Sequence, residues 1–129
     1  MPRSVIKPVL GFLRAILLGP ETTEGFGQSM ADDIRFVLRF RRCRRITVNW
    51  HAPSEEEAKA IEADALLGRF GDVTIAVADV AGRRWTVRER DWHGWPDPPK
   101  YVFFAQNEDR SVWAARDFDQ WPGAWPVMP

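Results

Sequence analysis

The sequence predicts an α+β fold, mainly an antiparallel sheet of three hairpins with a capped helix on one face and an amphipathic helix at the N-terminus. Three observations lead there: apolar spacing that switches from helical to two-residue period, a strong helix-start signal at residues 53–57, and no strand–helix–strand alternation of the doubly wound kind. At 129 residues the chain has the size of one ordinary domain and can bury a core without disulfides or metals. Apolar residues make up 45% and charged residues 28%, a globular composition that argues against disorder or full membrane embedding.

In residues 4–18, Ile6, Val9, Leu10, Leu13, Ile16 and Leu17 recur at helical spacing, and Gly19-Pro20 supplies a stop. An amphipathic helix is therefore expected within residues 1–20. Its apolar run is interrupted by Arg14 and falls short of the roughly 20 residues a membrane span needs. Arg3 and Lys7 ahead of that run resemble a signal peptide only superficially, because Gly19-Pro20-Glu21 is a poor cleavage site. The polar, Gly-rich residues 21–33 read as a linker, which assigns residues 34–129 to one α+β domain.

Ile34, Phe36, Leu38 and Phe40 alternate with Arg35, Val37 and Arg39, the pattern of a half-buried strand. Ser29 and Asp32 resemble helix caps, but a helix would set Phe36 and Phe40 opposite Ile34 and Leu38, so the strand is preferred. Arg45 to Trp50 alternates again, and the arginines between the two segments read as a hairpin turn. Next comes Pro53-Ser54-Glu55-Glu56-Glu57, a capping box in which the Ser54 hydroxyl and the Glu57 carboxylate satisfy each other's backbone amides. A helix is expected over 54–68, burying Ala58, Ile61, Ala65 and Leu66. Residues 73–78 and 84–88 form a second hairpin around Ala81-Gly82. Asp91 to Lys100 carries three prolines and must be a loop, because Pro cannot sit in a central strand. Residues 100–106 and 111–118 make the third hairpin, followed by a Trp/Pro-rich tail, 120–129.

Formal net charge is zero, so no long-range field steers the molecule towards polyanions or anionic membranes. Cys43 is the one cysteine; it can form no internal disulfide, and with no convincing export signal a cytoplasmic location is expected. His51 and His93 belong to no spaced ligand motif, the acids form no obligatory pair, and no nucleophile elbow or phosphate-cradling loop is present. The chain is thus read as non-catalytic, with no metal and no cofactor.

Two signals remain. Of seven tryptophans, Trp92 and Trp95 lie with His93 in the Pro-rich loop, and Trp121 and Trp125 lie in the tail. Because Trp is enriched at interaction hot spots, the first expectation is a small protein–protein interaction protein of inhibitor, immunity or assembly type that binds through Trp92, His93, Trp95, Trp121 and Trp125. The competing expectation is that the tail folds back to close the core. Arg39, Arg41, Arg42, Arg44 and Arg45 form the second signal and support a nucleic-acid-binding module. Arg83, Arg84, Arg88 and Arg90 would extend that basic strip, unless the acidic helix neutralises it. A small-ligand or enzymatic pocket around Trp92, His93 and Trp95 is the third reading.

Overall fold

The computed structural model describes residue 26, residues 29–91 and residues 98–126. The expected N-terminal amphipathic helix lies outside them. Within them the chain is α+β: helix α1 (Met30–Cys43), helix α2 (Glu55–Ala63), a 3-10 turn (Leu67–Arg69) and strands β1 (Val73–Val80), β2 (Arg83–Glu89), β3 (Tyr101–Gln106) and β4 (Val112–Phe118). The strands form one sheet in the order β1-β2-β3-β4 with every pairing antiparallel. Its three hairpins are thus made by four consecutive strands. The segment expected to supply the first hairpin, residues 34–50, is instead helix followed by extended chain.

α1 is capped by the signal that the alternation outweighed: the Ser29 hydroxyl accepts from the Asp32 amide at 3.2 Å, and Asp32 and Asp33 sit in the first turn, where the helix dipole favours acids. Met30 to Asp33, expected in the linker, are that first turn. Phe36, Val37, Phe40 and Cys43 are buried, whereas Leu38 is left 45% exposed. The four alternating apolar residues therefore do not share a face. α1 runs along β4, the edge strand, with Phe36 in the cluster on one side of the sheet and Phe40 in the cluster on the other, and so shields an edge that would otherwise invite pairing.

Both sheet faces are buried. Ala76, Ala78, Trp85, Val87, Phe103, Ala105 and Ala114 build one; Val77, Val102, Phe104 and Ala115 build the other. Val48, Trp50 and Trp125 cover the first, and Ile61, Leu67, Phe70 and Phe26 cover the second. A register shift between Thr74 and Ala76 changes which residues of β1 face each layer, as bulges do. Val73 is 49% exposed, and Ala76 and Ala78 on one layer and Val77 on the other are buried. Residues 45–50 keep part of their predicted alternation, with Val48 and Trp50 buried and Ile46 exposed. The next residue, His51, makes a bridge to β1 in which it and Val77 exchange backbone hydrogen bonds of 3.0 and 2.9 Å.

α2 starts where the capping box placed it, with the Ser54 hydroxyl accepting from the Glu57 amide at 3.1 Å. It stops at Ala63, short of the expected end, because Asp64 intervenes. The Asp64 carboxylate accepts from the amides of Leu66 and Leu67 at 2.8 and 3.0 Å, turning the chain into the 3-10 segment. Gly68 is required there, since a Cβ would sit 2.3 Å from the Glu62 carbonyl oxygen. The β1–β2 turn is Ala81-Gly82, both at positive φ (51° and 77°), the backbone a two-residue hairpin demands.

Candidate interaction surface

The tail folds back on the sheet. Trp125 is 2% exposed, packs against Phe40, Trp50, Phe103 and Phe118 with ring centroids 5.1–6.0 Å apart, and donates its indole N–H to the Cys43 carbonyl at 3.0 Å. Cys43 ends α1, and its carbonyl, beyond the reach of an intrahelical amide, accepts from the Ile46 amide at 3.1 Å as well as from this indole. One side chain thus closes the core and caps a helix. Trp121 is half-buried beside it, 5.4 Å between centroids, with its indole N–H towards the carbonyls of Trp125 and Pro126 at 3.2 and 3.3 Å. Of the tail pair, Trp121 alone reaches the surface. Trp92, His93 and Trp95 lie outside the described residues, and so does the expected meeting of loop and tail.

The β2 arginines form no basic strip. Arg88 is 1% exposed and donates to the carbonyls of Phe70 and Gly71 and to the Thr74 hydroxyl at 2.9, 3.1 and 2.7 Å. Burial pushes its guanidinium below the ordinary value. Arg84 makes a two-pronged pair with Glu57 at 2.9 and 2.6 Å and a second with Asp79 at 3.0 Å. The hydrogen bond to Glu57 raises its affinity for the proton. Arg90 donates to the Pro99 carbonyl at 2.8 Å and reaches the Asp117 carboxylate at 3.5 Å. The acidic helix does neutralise arginine, but on β2. A concavity of about 580 Å³ between α2 and the hairpin turns is lined by Arg84 with its two acidic partners, Glu57 and Asp79, and by Arg83, whose Nε donates to the Asn107 side-chain oxygen at 3.0 Å.

The α1 cluster is different. Arg39, Arg41 and Arg42 lie in its last two turns, Arg44 is its C-cap and Arg45 follows, so they are not a hairpin tip. At 3.6 residues per turn, Arg35, Arg39 and Arg42 share one flank of the helix and Arg41 and Arg44 the other. Arg39 donates to the Trp113 carbonyl at 2.7 Å and, with Arg83, lies over the Trp113 ring, 5.0 and 3.9 Å from its centroid. Partial burial first, then the positive charges of Arg35, Arg83 and Arg42, push the Arg39 guanidinium below its ordinary value. Arg35 pairs with Asp32 at 3.3 Å; Arg42, Arg44 and Arg45 are exposed, with no acidic partner among the described residues.

Between these flanks stands exposed Leu38, one turn from half-buried Ile34 and from Arg42, and two turns from Arg45. This outward face was not singled out by sequence reasoning. Its signal was Leu38 itself, which becomes an exposed apolar centre only once the segment is helical.

No group of three or more potential metal ligands occurs among the described residues. Cys43 is buried, which pushes its thiol up to about 12 and leaves it protonated and inert. His51 is exposed, its Nδ1 3.2 Å from the Ala52 carbonyl. No described helix is long and apolar enough to cross a membrane. Comparison of the chain with protein-family models, with curated proteins and with solved structures finds no match.

Proposed function

We propose that this chain is a non-catalytic protein–protein interaction module whose contact surface is the outward face of α1, and that its partner presents an acidic surface with an apolar centre. The observation that carries this reading is the placement of 45%-exposed Leu38 beside arginines that lack acidic partners among the described residues. Protein interfaces have an apolar core within a polar rim and are enriched in Arg and depleted in Lys, the pattern of this face. The tail keeps a supporting part: Trp125 fixes the C-terminus of α1, and Trp121 borders the same end of the sheet.

A nucleic-acid reading draws on the same arginines and is weaker. The aromatic ring beside them, Trp113, already carries two guanidinium groups, so it offers no open platform for base stacking. Zero net charge also supplies no field to concentrate a polyanion.

Capture from native cells with the tagged chain, in parallel with Leu38→Asp and Arg42→Glu variants, tests the proposal. A protein retained by the wild type after nuclease treatment and lost from both variants, at unchanged melting, supports it. Retention by both variants, or release by nuclease with a salt dependence steep enough for several phosphate contacts, overturns it.

A further inference from the structure

The positive charge of α1 does not stop at the helix. On the flank that carries Arg35, Arg39 and Arg42, Arg39 lies over the half-buried Trp113 ring of β4, and Arg83, from the start of β2, lies over the same ring. Two guanidinium groups from different elements thus share one indole. Their hydrogen bonds go to neutral groups: Arg39 donates to the Trp113 carbonyl at 2.7 Å, and Arg83, through Nε, to the Asn107 side-chain oxygen at 3.0 Å. Neither forms an ion pair with an acid among the described residues, whereas the next residue on β2, Arg84, forms two. The terminal nitrogens of Arg83 have no acceptor among the described residues. Partial burial, and then the positive charges of Arg35, Arg83 and Arg42, hold the Arg39 guanidinium below its ordinary value. Like charges held this close repel, and an anion seated beside them relieves the repulsion.

We propose that the contact surface continues from Leu38 and Arg42 across Trp113 to Arg83, and that this extension seats a carboxylate side chain, Asp or Glu, of the protein partner. The inference rests on the reading of α1 as the contact face and adds to it a second element and the chemistry of the anchor. The planar donor fork of a guanidinium matches the two oxygens of a carboxylate, and stacking on the indole holds that fork in place at little further cost in side-chain freedom. A nucleic acid fits the same place less well, because the ring is already covered by cations and gives a base no face to stack on.

Fluorescence anisotropy with the full chain at constant ionic strength tests this. The probes are the labelled peptide Glu-Glu-Leu-Glu-Glu, its neutral counterpart Gln-Gln-Leu-Gln-Gln, and an oligothymidylate of matched charge. The expected result is saturable binding of the acidic peptide and none of the neutral one. Arg83→Gln should weaken the acidic peptide by about tenfold, the loss of one charge-assisted contact. Arg69→Gln, which removes an exposed arginine lying over Phe70, leaves binding unchanged, and both variants melt as the wild type does. Absence of saturable binding, an unaffected Arg83→Gln protein, equal weakening by the two substitutions, or tighter binding of the oligothymidylate would overturn the proposal. The α1 reading fails separately: a partner still lost from Leu38→Asp in the capture experiment, with Arg83→Gln unaffected here, keeps α1 as the contact face and removes only its extension.

Discussion

The tail and helix α1 carry the two loudest composition signals of this chain, tryptophan and arginine, and the fold puts them to opposite uses. The tail's indoles turn inward: Trp125 is sealed among aromatic rings and bonded to the last carbonyl of α1. Arg35, Arg42 and Arg45 turn outward near exposed Leu38, while Arg39 packs on Trp113. Large apolar rings gain most by leaving water, at about 25 cal/mol per Å² of buried surface, whereas guanidinium groups remain hydrated unless a partner is provided. Where partners are provided, on β2, arginine does go inside, as Arg88 shows. A residue type that often marks interfaces is therefore a poor guide to where an interface lies until its burial is known.

The contrast can be broken first at its strongest point. Trp125→Ala removes a buried indole, its ring contacts and the cap on Cys43, and should cost about 3–5 kcal/mol, the range for large aromatic truncations in cores. Denaturant unfolding measures it, and an unchanged midpoint would show the tail to be an appendage.

A second test lies in the buried carboxyl of the sheet. Asp117 is 2% exposed, with Oδ1 buried and without a hydrogen-bond donor among the described residues. Burial raises its affinity for the proton to about 6, against an ordinary 3.8, with Arg90 and Arg116 opposing the shift. Between those values the folded chain holds a proton that the unfolded chain releases, so this group's contribution makes the fold more stable as pH falls from above 6 towards 4. The change is on the order of 2 kcal/mol. Asp117→Asn should flatten that part of the stability–pH curve; a profile identical to wild type would refute the assignment.

Smaller effects are expected at the helix caps and on the outer face of α1. Ser54→Ala and Ser29→Ala should each cost about 1 kcal/mol, as lost N-caps do, read as a shift in thermal midpoint. Leu38→Asp should change stability by no more than about 0.5 kcal/mol, in keeping with an exposed surface position, while abolishing partner capture. If it unfolds the protein, Leu38 is a core residue and the outward-face assignment fails.

Much of the sheet was legible because its turns carry their own chemistry: Ala81-Gly82 and the Asn107 region sit where the expected hairpins turn, and the Ser54 box is visible in five letters. The α1 segment misled because period-two spacing of Ile34, Phe36, Leu38 and Phe40 matches a strand only if all four are buried. A helix along a sheet edge needs just Phe36 and Phe40 inside, and it leaves Leu38 free. The Ser29 cap was the better signal, being local and geometric. Because both sheet faces are buried, β1 and β2 lack the polar-out half of a period-two pattern, and nothing in the sequence distinguishes buried Arg88 from exposed Arg42. That difference is made by the Phe70, Gly71 and Thr74 acceptors, which the fold brings from the far side of a turn.

Amide hydrogen exchange of the chain, free and in complex with its captured partner, tests most directly whether recognition belongs to α1 and closure to the tail. The account predicts added protection across residues 34–46, with exchange at 119–126 already slow in the free chain and unchanged on binding. Protection gained in the tail or at residues 92–97, with none on α1, would contradict it.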